Sequence, residues 1–115
     1  MTFLNLFKRD PIKRKILAIK KDIKIIVSKF CNEKYWINWH GAYDINPKHL
    51  AFIICMMSDD MKVKLASDEK LQKEIRNLLD KHNYPFEARD EVVISFESQE
   101  TVDRESHGRW HIHLQ

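Results

Sequence analysis

Isoleucines at positions 12, 16, 19, 23 and 26, closed by Phe30, recur at spacings of four, three, four, three and four. That rhythm paints one apolar stripe along an α-helix. Asp10-Pro11 marks its start, because Asp caps free backbone N–H groups and Pro at the first helical position gives up none that is needed. The spacing predicts a helix over residues 11–31, with the intervening lysines on its water side. Immediately afterwards the period drops to two. Tyr35, Ile37, Trp39 and Tyr43 fall on one side, and Trp36, Asn38 and His40 on the other, which predicts a strand over 35–43. A chain that switches from helical to strand period within a few residues has to bury a helix against a sheet.

Asp44-Ile45-Asn46-Pro47-Lys48 is turn chemistry, and Leu50–Met57, apolar on both faces, reads as an interior strand. The two strands make a hairpin. Ser67-Asp68-Glu69 is an N-cap with acids at the positive end of a helix dipole. Leu71, Ile75, Leu78, Leu79 and His82 supply the stripe of a helix over 68–82, and Asn83 takes the left-handed conformation that ends it. Alternation over Glu91–Glu97 and Arg109–Leu114 gives strands three and four. Residues 98–108 between them form a long polar loop with Gly108 at positive φ. The resulting order is α-β-β-α-β-β in a single α+β domain over 1–115. Two helices then pack on one face of a four-stranded, mainly antiparallel sheet, and the other face is exposed.

Composition supports one folded, soluble core: 43% of the residues are apolar and 32% charged, with two glycines and three prolines. The longest apolar run is far too short to span a bilayer. The N-terminus places its charges after its few apolar residues, the reverse of a secretory signal, so the protein is expected in the cytoplasm. Cys31 and Cys55 have no partner at metal-knuckle spacing and read as reduced apolar fillers.

The net charge of +3 is unevenly distributed. Residues 1–34 carry ten Lys and Arg, Lys8 and Arg9 among them, against three acids, a net of +7, which leaves −4 for the remainder. Residues 87–105 hold seven acids against Arg89 and Arg104. The basic helix suits a nucleic-acid backbone, the alternative role for this chain. The acidic loop suits a basic protein partner. His111 and His113, on one face of the last strand, have a spacing that chelates a divalent ion if His40 or Glu97 completes the set, but the same pattern is ordinary solvated surface. No Gly-rich phosphate loop, nucleophile elbow or Cys–His pairing is present, so neither an enzyme nor a resident cofactor or metal is expected.

Phe96-Glu-Ser-Gln-Glu-Thr-Val-Asp103, then Gly108-Arg109-Trp110 and the alternating end, resembles small bacterial immunity proteins encoded beside contact-dependent-inhibition and other polymorphic toxins. The likeness covers about a sixth of the chain. It implies a cytoplasmic, non-enzymatic protein that binds and blocks one toxin domain, often a nuclease, although the positive net charge departs from the acidic character common among nuclease inhibitors. On this reading the partner-binding residues are Trp36, His40, Glu97, Glu100, Asp103, Glu105, Arg109, His111 and His113, drawn from the loop and the exposed sheet face.

Overall fold

A computed structural model describes residues 10–114. The N-terminal charges Lys8 and Arg9, and the expectation about a leader, lie outside the described residues. Helix α1 spans Pro11–Val27, where Asp10 caps it by accepting from the Lys13 amide at 2.8 Å. Its stripe is as spaced: Ile16, Ile19, Ile23 and Ile26 are buried, with Val27 beside them. The helix stops at Val27, and Ser28–Phe30 continue only as a turn. Strand β1 (Tyr35–His40) and strand β2 (Ala51–Met56) pair antiparallel, Tyr35 opposite Met56 and His40 opposite Ala51. β2 is buried at every position, as an interior strand has to be. Gly41 closes β1 at φ +111, and a Cβ there would sit 1.9 Å from the His49 carbonyl oxygen. Only glycine fits that approach.

The second half departs from expectation. Ser58 caps an unforeseen helix, α2 (Asp59–Ala66), which sends Met61 and Leu65 into the core. Helix α3 (Glu69–Lys81) follows, capped by Asp68 and terminated by Asn83 at φ 53. Its predicted stripe is buried except at His82, which faces Asp22 of α1 at 2.7 Å instead. Strand β3 (Val93–Ser98) then pairs parallel with β2, Ala51 opposite Val93 and Met56 opposite Ser98. Two helices between β2 and β3 supply the long crossover that a parallel pairing requires. Helix α4 (Gln99–Ser106) and a four-residue turn of helix, α5 (Trp110–His113), close the described chain.

The four-stranded, mainly antiparallel sheet with two helices is therefore corrected. The sheet has three strands in the order β1-β2-β3 and is mixed, and the described residues form four helices of eight or more residues plus α5. The fourth strand fails because α5 is too short to hold a ladder and its residues make local bonds, Ile112 and His113 N–H donating to the Arg109 carbonyl. The α+β class stands. One sheet face, from Phe52, Ile54, Met56, Ile37, Ile94 and Phe96, packs into the main core with the helices. The opposite face, with Trp36, Cys55 and Glu97 in one row, is partly roofed by the returning C-terminal segment.

Candidate functional site

Ser98 is both the last residue of β3 and the cap of α4: its side-chain oxygen accepts from the Thr101 amide at 3.1 Å. The expected loop over 98–108 is thus a helix for most of its length. Its end is built from two consecutive left-handed residues, His107 at φ 53 and Gly108 at φ 77. The chain reverses there, and α5 comes back over the outer sheet face. Gly108 is left-handed as its sequence context required.

Glu97 sits at the centre of the roofed region. Its carboxylate accepts from Lys62 Nζ at 2.8 Å and lies 2.7 Å from His113 Nε2, and His113 Nδ1 is 3.0 Å from Ser106 Oγ. Burial pushes the Glu97 carboxyl up, but the hydrogen bonds from Lys62, His113 and the Ser98 amide outweigh it and hold the group below its ordinary value. Beside this cluster, Asp59 accepts from the Ser98 and Thr101 hydroxyls and from Arg104, which together hold it far below the usual carboxylate range. Glu100 accepts from the Asp59 amide at 2.7 Å, an acid at the first turn of α2. Cys55, wholly buried beneath, is pushed up to about 12 by burial first and by Glu97 second, so its thiol stays protonated and inert.

Ser106, His113 and Glu97 are joined in that order by hydrogen bonds across three elements. Ser106 is buried, 8% exposed. The amides of Gly108 and Arg109, which follow it, already donate to the carbonyls of Val102 and Ser106. The bonds form a clasp that ties α5 and α4 to β3.

The partner-binding residues read from sequence do not form one set. Glu97 and His113 are consumed by the clasp, their side chains 17% and 13% exposed. Glu100 is spent on α2. His40 lies four residues along β1 from Trp36, about 13 Å away at the other end of the sheet. His111 and His113 do not share a face, because a helical turn rather than a strand carries them, and His111 is exposed while His113 points inward. Among the described residues no three His, Cys, Asp or Glu side chains gather as a metal-ligand group.

What remains together is a surface around Trp36. The Trp110 ring meets it edge-on, centroids 5.3 Å apart at 75°, and Trp110 Nε1 donates to Gln99 Oε1 at 2.8 Å. Lys34 Nζ lies 5.8 Å from the Trp36 ring centre on another side. Both indoles are half-buried, Ile112 is 42% exposed, and Arg109 and His111 are exposed on the same turn. Asp103 and Glu105 are exposed on the adjoining α4. Trp110, Ile112 and Lys34 stand outside the expected set, because alternation over Arg109–Leu114 turns Trp110 and Ile112 to the core side of the expected fourth strand. Ser98-Gln-Glu-Thr, a cap followed by an acid, was the signal that a helix starts there.

No helix among the described residues is long and apolar enough to cross a membrane. No protein-family model, curated protein or solved structure gives a significant match to the chain.

Proposed function

We propose that this chain is a non-enzymatic protein-binding module of the immunity type, acting in the cytoplasm by covering one domain of a toxin. The observation that carries the reading is the half-exposed Trp36–Trp110 pair. Partly exposed tryptophans beside an arginine and an exposed aliphatic are the composition of interface hot spots. Here they rest on a clasped, hydrogen-bonded base, so little ordering is left to cost affinity on binding. Asp103, which accepts from the Gln99 side chain that also holds Trp110, puts an acid at the edge of the patch, and Glu105 on another side of α4 adds to the negative field. This suits a basic partner, a nuclease domain among them, and acts chiefly on association rate.

The test is calorimetric titration with the toxin domain encoded by the adjacent gene. Trp110→Ala is expected to weaken binding by about 2 kcal/mol or more. Asp103→Lys/Glu105→Lys is expected to slow association while leaving the melting temperature unchanged. Glu100 is left untouched because its loss would also uncap α2. Full-strength binding by both folded variants, or no binding by the wild type, would overturn the proposal.

A further inference from the structure

A second surface, on the far end of the charge distribution, is independent of the tryptophan patch. Along the outer side of α1, Leu17 is 47% and Ile25 52% exposed, eight residues and thus about 12 Å apart along the axis. Lys13, Lys21 and Lys24 are exposed among them, and none of the three is held by a carboxylate among the described residues. The acid of this helix, Asp22, is already paired with Lys81 Nζ at 3.0 Å and His82 Nε2 at 2.7 Å. On either side of Ile25 lies a shallow groove. One, of about 430 Å³, is lined by Lys21, Lys24, Ile25, Ser28 and Tyr35. The other, lined by Asp22, Ile25, Ile26, Glu74, Leu78 and Lys81, carries two carboxylates and is not part of the seat beside Lys21 and Lys24. Tyr35 is fixed in the first by donating its hydroxyl to the Lys24 carbonyl at 3.1 Å.

A row of lysines alone is a solvated helix face or a track for phosphates. Two aliphatics standing in that row change the chemistry, since phosphates gain nothing from covering them and water loses by solvating them. The groove beside Ile25 has an apolar floor and two ammonium groups on its rim, the shape of a seat for an apolar side chain flanked by carboxylates. A bilayer surface offers no such protruding side chain. Helix α4 of a second copy does not supply one, because it exposes Glu100, Asp103 and Glu105 with no aliphatic between them. We propose that the outer face of α1 docks an acidic amphipathic protein segment, with apolar side chains seated beside Ile25 and carboxylates against Lys21 and Lys24.

The experiment uses the full chain and a fluorescein-labelled helical peptide of about five turns, glutamate-rich with leucines along one face. A serine-for-leucine control of equal charge accompanies it. Anisotropy should show saturable binding of the leucine peptide, at least about tenfold weaker for the serine control. Leu17→Gln/Ile25→Gln should lose that preference. Lys21→Glu/Lys24→Glu should abolish binding, both variants keeping the wild-type melting temperature because the altered side chains are exposed. Co-sedimentation with phosphatidylserine vesicles and gel shift with duplex RNA complete the test. Equal binding of the two peptides, no binding of either, or vesicle or RNA binding that depends on Leu17 and Ile25 would overturn the proposal.

Discussion

Residues 11–56 and residues 57–114 obey the same physics, yet apart from α3 and β3 only the first stretch shows its structure openly. In α1, β1 and β2 every element carries a long periodic signal: six apolar positions at helical spacing, then alternation, then an unbroken apolar run. Tertiary packing agrees with each, so the elements stand within a few residues of their expected ends. In the later stretch α3 carries an equally clear stripe, but around it the signals are short and compete. α2 offers only Met61 and Leu65 to the core, too few to reveal a period, although Ser58-Asp59-Asp60 announces a cap as plainly as Ser67-Asp68-Glu69 does. Trp110, Ile112 and Leu114 alternate like a strand but belong to a helical turn. There the local bonds of α5 and the seat of Trp110 on Trp36 outweigh strand propensity. A period read over four or five residues is weaker than a cap.

The candidate site divides in the same way. Arg109 and His111 are exposed as alternation made them, although a helical turn rather than a strand carries them, and Trp36 keeps its place on the outer sheet face but is half-buried against Trp110. The fates of Glu97, Glu100 and His113 were not legible, because their partners Lys62, Asp59 and Ser106 lie on other elements or beyond a turn. Nothing in a linear pattern announces a carboxylate shared by two helices and a strand.

If the first stretch is the stability core, its centre should be the costliest place to damage. Phe52, fully buried on the middle strand, should lose about 3 to 5 kcal/mol on substitution by alanine, read by urea unfolding. An effect below about 1 kcal/mol would mean that the sheet centre is not the core.

The clasp should matter less, and through charge. Glu97→Gln removes a partly buried carboxylate with two cationic or imidazole partners and should cost about 1 to 3 kcal/mol at neutral pH. Glu97, Asp59 and Asp22 are all held below their ordinary values, so each binds its proton less readily folded than unfolded. Their contribution is therefore complete above those ordinary values, 4.5 for Glu97 and 3.8 for the aspartates, and is lost progressively as pH falls below them and through the lower values of the folded state. Unfolding series at descending pH should show stability dropping across that window, less steeply in Glu97→Gln. Equal slopes would remove Glu97 from the account.

The most direct test of the central claim, that residues 98–114 are a folded helix and turn presenting a tryptophan patch rather than a polar loop and a strand, is amide hydrogen exchange on the free protein. The account predicts protection at Val102–Ser106 well above that of the exposed turn at Ala42–Ile45, and loss of protection beyond Gly108 in Trp110→Ala with α1 and β2 unchanged. Exchange across 99–106 as fast as in that turn would contradict it.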